Sequence, residues 1–180
     1  MSVGNTLKYK CSGCGQVHEG IPHVVCKAPC YYDGASPEDR EKNFKLTSDT
    51  CVMKEGDDTH YFVRAAMLMP IRGTDVQFGW GIWVSLSEKN FNRYLALRTD
   101  EEIAAEPAYF GWFANNIGED YPDATRLKCR VDLQPGNKRP LVTLEPTEHP
   151  LSREQREGMS VEQVAKILSS LEHLSEASAN

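Results

Sequence analysis

The residues best suited to chemistry open the chain, in Tyr9-Lys-Cys11-Ser-Gly-Cys14-Gly15-Gln-Val-His18. Two thiolates three residues apart can grip one metal ion from a tight turn. Gly15, tolerant of positive φ, lets the backbone amides of that turn face the sulfurs. Half of a tetrahedral zinc site is thereby specified. A redox Cys-x-x-Cys normally opens a helix after a buried strand, and Ser12-Gly13 followed by Gly15 is a poor helix start. Inert cysteines are the remaining alternative. The other ligands have two sources. Cys26 and Cys30, on an irregular segment with Pro22 and Pro29 near its ends, form a second close pair that would complete a four-cysteine site. Cys51 and His18 are the rivals: a strand-like Thr50-Cys51-Val52 context presents a fixed sulfur, and His18 can turn back to the same metal. Loop closure does not choose between them, because its cost grows only logarithmically with length. Cys129, inside the alternation Leu127, Cys129, Val131, Leu133, reads as a small buried hydrophobe.

A second constellation lies in Arg139-Pro-Leu-Val-Thr-Leu-Glu145-Pro-Thr-Glu148-His149-Pro150, where a strand runs into a Pro-braced loop with two carboxylates and an imidazole. Glu145 with His149 could move protons, since imidazole titrates near neutral pH and a carboxylate fixes its tautomer. The plainer reading is a rigid turn in which Glu145 pairs with Arg139 and His149 packs or caps. No Gly-x-Ser-x-Gly elbow and no phosphate-cradling glycine loop occurs in the sequence.

These groups need a scaffold, and its centre is Phe78-Gly-Trp-Gly-Ile-Trp-Val-Ser-Leu86. Phe78, Trp80, Ile82, Val84 and Leu86 alternate and predict the core face of a strand. Gly79, Gly81, Trp83 and Ser85 share the other face, a shelf on which the Trp83 ring can rest or another chain can approach. Upstream, Ser36-Pro37-Glu38-Asp39 predicts a helix start, Thr50–Met53 a short strand, and His60–Met69 a strand pairing antiparallel with the Trp-bearing one. Downstream, Ser87 caps a helix that aligns Phe91, Tyr94 and Leu95. Residues 99–106 form an acidic linker or helical turn, and strands fall near 125–133 and 141–144. Ser152-x-x-Gln155 and Ser160-x-x-Gln163 resemble capping boxes. The second opens a helix striped with Val161, Val164, Ile167, Leu168 and Leu171.

The pattern predicts an α+β fold, an antiparallel β-sheet with packed helices and an N-terminal zinc-knuckle-like segment. One domain is expected over residues 1–174, with the knuckle segment at about 8–52, the core at about 53–174 and a frayed tail at 175–180. At 180 residues and 40% apolar content the chain can bury one sizeable core. No apolar run of transmembrane length and no signal-like leader is readable, so a cytoplasmic protein is expected. A formal charge of −6 argues against broad nucleic-acid binding.

Cys11-x-x-Cys14-Gly15-x-x-His18-Glu-Gly20-x-Pro22, Leu46-x-Ser-Asp49-x-Cys51-Val52, Trp80-Gly-x-Trp83-Val-Ser-Leu-Ser87, Tyr109-Phe-Gly-Trp112, Leu133-Gln-Pro135, Arg139-Pro140 and Leu144-Glu-Pro-Thr-x-His149-Pro-Leu151 resemble the bacterial domain-of-unknown-function family 2199, from about Cys11 to Gly158. The family carries no assigned activity. Its cysteine pattern matches Cys11, Cys14 and Cys51, with His18 beside them, whereas Cys26 and Cys30 depart from it. The resemblance therefore implies Cys51 as a third ligand. The metal set expected is Cys11, Cys14, Cys51 and His18 holding zinc, with one of Cys26 and Cys30 as a rival fourth ligand. The function expected is that of a non-catalytic zinc-binding protein, an interaction or regulatory module for a protein partner. The alternative is a hydrolase-like enzyme working from Glu145 and His149 or from an open metal position.

Overall fold

The computed structural model describes residues 6–11, 14–118 and 121–177. It is α+β, with a large mixed sheet and six helices among the described residues. A two-stranded hairpin comes first, β1 (Leu7–Lys10) with β2 (Val17–Gly20). Then follow β3 (His23–Val25), α1 (Cys30–Asp33), α2 (Pro37–Asn43), β4 (Phe44–Leu46), β5 (Thr50–Glu55), β6 (Asp58–Pro70) and β7 (Gln77–Leu86). The second half is α3 (Glu88–Ala96), α4 (Asp100–Ala105), β8 (Tyr109–Phe113), β9 (Lys128–Gln134), β10 (Lys138–Leu144), α5 (Pro150–Glu157) and α6 (Val161–Ala177).

The long antiparallel pair β6–β7, in register from Tyr61↔Leu86 to Pro70↔Gln77, is the spine. From β7 the pairing passes antiparallel through β8 and β9 to β10, and β10 returns to β6 in parallel at Leu141↔Ala66. The pairings thus close a ring of five strands. Five is odd, so a closed ring cannot alternate direction throughout, and one parallel pair is obligatory. Most pairs are antiparallel, as expected, and the parallel exceptions make the sheet mixed. A second parallel pairing, β3 on β7, extends the sheet on one side, and β5 with β4 extends it on the other. Strands β3 and β4 and the start of β5, within the segment read as the knuckle, therefore belong to the large sheet.

One face of the spine, with Val63, Ala65, Met67 and Met69 against Val84, Ile82, Trp80 and Phe78, looks into the main core. Phe91 of α3, Leu151 of α5 and Val164 of α6 join the same cluster. The caps form as their chemistry dictates: Ser36 accepts from Asp39 N, Ser87 from Asn90 N, and Thr99 with Glu102 makes a full capping box. Ser160 and Gln163 bond each other's backbone N–H at the start of α6. Ser152 differs from the expectation. Pro150 takes the first helical position, His149 caps α5, and Ser152 points inward from its first turn to donate to Glu145 O. Helix α6 continues to Ala177, and the rest of the expected tail lies outside the described residues.

The opposite face is not the open shelf that the two glycines suggested, since Trp83 is fully buried. A second, smaller core of Cys51, Met53, Phe62, Trp83 and Ala114 forms there, with Cys26, Phe44 and Leu46 packed against it. The irregular segment after β3 supplies the cover. Cys26 O accepts from Trp83 Nε1 at 3.1 Å, and Asn115 bridges Trp83 N and Ala28 O. Gly81 is small for a reason: a Cβ there would lie 3.1 Å from Val25 Cγ2 of the adjoining strand.

Candidate metal centre

Hairpin register builds the site. Pairing of Tyr9 with His18 and of Lys10 with Val17 carries Cys11 to the mouth of the loop. There Cys11 N donates to Gln16 O at 2.8 Å and Gly15 N to Cys11 O at 3.0 Å. Gly15 sits at φ +73°, the left-handed conformation the turn demands. The result brings Cys11 Sγ, Cys14 Sγ and a ring nitrogen of His18 within 4.8 Å of one another. Cys14 Sγ lies 3.2 Å from His18 Nε2. The His18 ring stacks on Tyr9, centroids 5.7 Å apart and planes 18° from parallel, which restricts the imidazole to orientations facing the turn. Lys8 with Glu19 at 3.3 Å ties the two strands behind it.

Burial is graded across the three donors. Cys11 is buried, His18 half-buried and Cys14 exposed, so an ion would approach from the Cys14 side. Bond lengths of about 2.3 Å to sulfur and 2.0 Å to nitrogen put tetrahedral ligand atoms about 3.5–3.8 Å apart, so shifts of roughly 1 Å or a little more would set the three donors around one ion. Two thiolates with an imidazole are donor types that could hold a transition-metal ion.

A family model described as an uncharacterised protein conserved in bacteria, DUF2199, matches residues 10–159. The chain belongs to that family. No curated protein and no solved structure matches it. The matched span begins one residue before Cys11, so all three candidate donors of this DUF2199 member lie within the family's part of the chain.

Of the residues expected in the site, the structure brings together Cys11, Cys14 and His18, and Cys51 is not in that group. Cys51 sits on β5 opposite Phe62, fully buried in the second core, and burial pushes its thiol up to about 11. The Thr50-Cys51-Val52 strand does hold that sulfur in a fixed place, as expected, but under the Trp83 ring's cluster and away from the hairpin turn. Cys26 belongs to the same neighbourhood, and burial, followed by the Asp33 carboxylate, raises its pKa to about 11. Cys30 is also raised, chiefly by burial, and its N–H bonds Ala114 O. Cys129 is the buried hydrophobe expected, raised to about 12. None of the six cysteines is in a disulfide.

The Glu145 loop is arranged for structure. His149 Nδ1 accepts from Leu151 N at 3.2 Å as the cap of α5, which leaves Nε2 to donate to Pro122 O, also at 3.2 Å. Both ring nitrogens are thereby engaged. Arg139 pairs with Asp49 at 3.0 Å rather than with Glu145, because the β10 strand carries it toward the β4–β5 turn. The residue that sequence reasoning missed is Asn115, 2% exposed, whose side chain links β7 to the covering segment. An isolated Asn in an Ala-Asn-Asn loop gives no periodic signal. No helix among the described residues is long and apolar enough to cross a membrane.

Proposed function

We propose that this protein is a non-catalytic zinc-binding protein in which Cys11, Cys14 and His18 hold one ion and the metal stiffens the β1–β2 hairpin as a surface for a protein partner. The observation that carries the metal reading is the convergence of two thiols and an imidazole within 4.8 Å on one short hairpin. The interaction reading is supported by Val17 and Ile21, which stand 71% and 59% exposed on and just after the strand that bears His18. Apolar side chains held in water beside a rigid turn are what a partner would cover. The acidic balance of the chain suits a basic partner and a cytoplasmic setting.

Metal analysis of the purified protein tests the reading: about one zinc per chain in the native protein and loss of that zinc in Cys14→Ser, an exposed position whose change spares the core. Unchanged zinc content in Cys14→Ser would remove it. The same three donors favour a second reading, a hydrolase-like enzyme, because a Cys2His set leaves a fourth metal position for water or substrate. That reading predicts turnover of a test ester such as p-nitrophenyl acetate which disappears in Cys14→Ser.

A further inference from the structure

The outer face of the five-stranded ring is covered on one side only. Chain 26–44 roofs β5 and the parts of β6 and β7 around Phe62 and Trp83, whereas on β8 Phe110 and Trp112 stand 48% and 41% exposed in an edge-to-face pair. Between roof and open side the register places Phe62, Ser85 and Trp112 in one row across β6, β7 and β8. A serine between two aromatics leaves a hollow. Tyr31 of α1 leans over it, its ring 5.6 Å from that of Phe62, and the loop before β9 closes the far end with Arg126. The cleft is about 420 Å³, within the size range of small-ligand sites.

Its charges are arranged unevenly. Arg126 is exposed and no carboxylate among the described residues lies within ion-pair distance of it, while the nearby Asp123 is occupied by Thr125 N and Oγ1. Lys128 Nζ stands 5.9 Å from the Trp112 ring centroid. At the other end Glu55 Oε2 lies 3.3 Å from His60 Nε2, an ion-pair contact without hydrogen-bond geometry. Two cations thus flank the Trp112 side of an aromatic slot in a chain that is otherwise acidic.

We propose that this cleft is a binding site for a small planar aromatic anion, its ring held between Tyr31 and Trp112 over Phe62 and Ser85 and its carboxylate or phosphate on Arg126. Stacking supplies affinity and tolerates many ring systems, whereas the guanidinium selects for charge and fixes direction. The inference stands on the sheet's outer face and is independent of the metal reading.

Isothermal titration calorimetry of the full chain with 2-naphthoate, 2-naphthyl phosphate and neutral 2-naphthamide tests it, together with the shift of the Trp112 indole N–H resonance. Saturable binding of either anion with movement of that resonance is expected, and the tighter of the two names the anion. Arg126→Gln should weaken the anions about tenfold and leave the amide within about twofold, the effect of losing one charge-assisted contact. Trp112→Ala should weaken all three probes about tenfold. Ser85→Leu, which fills the hollow on an outward-facing position, should abolish binding while leaving the circular dichroism spectrum unchanged. No saturable binding at millimolar probe would overturn the proposal. So would equal losses for anion and amide in Arg126→Gln, or concentration-dependent self-association that vanishes in Trp112→Ala without any probe binding, which would make the face an interface between copies of this chain.

Discussion

Replacing Asn115 by Ala should destabilise the protein out of proportion to its size. On the edge of β7 that faces β3 and β8, neighbours change partway along: Gly81 O accepts from Cys26 N of the covering segment, while Val84 and Ser85 pair with β8. Trp83 lies at the changeover, its carbonyl accepting from Ala114 N and its N–H donating to Asn115 Oδ1 at 2.6 Å. The amide's other end donates to Ala28 O at 2.9 Å. Trp83 is 0% and Ala28 2% exposed, so truncation leaves one donor and one acceptor orphaned away from water. Each costs about 1–3 kcal/mol, about 2–6 together, and partial relaxation brings the expected loss to about 2–4 kcal/mol. Urea unfolding followed by tryptophan fluorescence measures it as a shift in midpoint at unchanged slope. Asn115→Asp adds a check of sign. The new carboxylate can still accept from Trp83 N, but it opposes Ala28 O and is buried, so its folded pKa is raised above the unfolded value. Stability is then retained below the unfolded pKa and lost as pH rises, and the variant should stand closer to the native protein at pH 4 than at pH 8. A loss below about 1 kcal/mol in Asn115→Ala would show that water or rearrangement satisfies these groups, and would refute the reasoning.

Gly111→Ala places a Cβ 2.8 Å from Ser85 O and 3.2 Å from Val131 Cγ2, so the β7–β8 pairing must spread, at about 1–3 kcal/mol by thermal or urea unfolding. Burial raises Cys26 and Cys51 to about 11 and Cys129 to about 12. Their unfolded forms ionise first, so the stability they confer is complete below the ordinary thiol range and is lost as pH rises through 11 to 12. The urea midpoint should therefore be lower at pH 10.5 than at pH 8, and an unchanged midpoint would contradict the burial of these thiols. Chelation should raise amide exchange across Leu7–Gly20 and leave the β6–β7 ladder protected, because the hairpin forms its own two-stranded sheet. Exchange rising equally in both would show that the metal supports the whole fold.

The parts of the fold legible in the sequence were those with local causes. Alternation located β7, since period two from Phe78 to Leu86 has no helical reading, and strand-forming residues located β6 as its antiparallel partner. Ser36, Ser87 and Ser160 each marked a helix start, because a cap bonds residues two or three positions on. The metal turn was legible for the same reason: Cys11, Cys14, Gly15 and His18 lie within one hairpin and need no tertiary partner to converge. What escaped was set by contacts distant along the chain. Ring closure depends on a parallel pairing between residues 66 and 141 that leaves no periodic mark. The burial of Trp83 depends on a roof that joins it from far along the chain, through Cys26 and Phe44, so its shelf read as a surface.

The position of Cys51 follows from that roof and bears on why the candidate metal site gathers Cys11, Cys14 and His18 among the described residues. A strand sulfur could serve the hairpin only if the face it points from were open toward the turn. That face is instead filled by Trp83, Phe62 and Ala114, and Cys26 packs onto the same cluster. A thiol so enclosed has its charged form penalised, as the rise to about 11 expresses, and a metal needs that charged form. The second core and the metal turn therefore make opposite demands on a cysteine. Burial keeps Cys51 protonated and suited to packing, and exposure leaves Cys14 accessible to an ion. Two alanine substitutions separate the roles: Cys51→Ala should cost about 1–2 kcal/mol of stability through the cavity it opens, with zinc content unchanged. Cys14→Ala should lose the zinc while the second core keeps its protection from exchange. Zinc lost from Cys51→Ala in a protein that remains folded would place that sulfur at the metal after all.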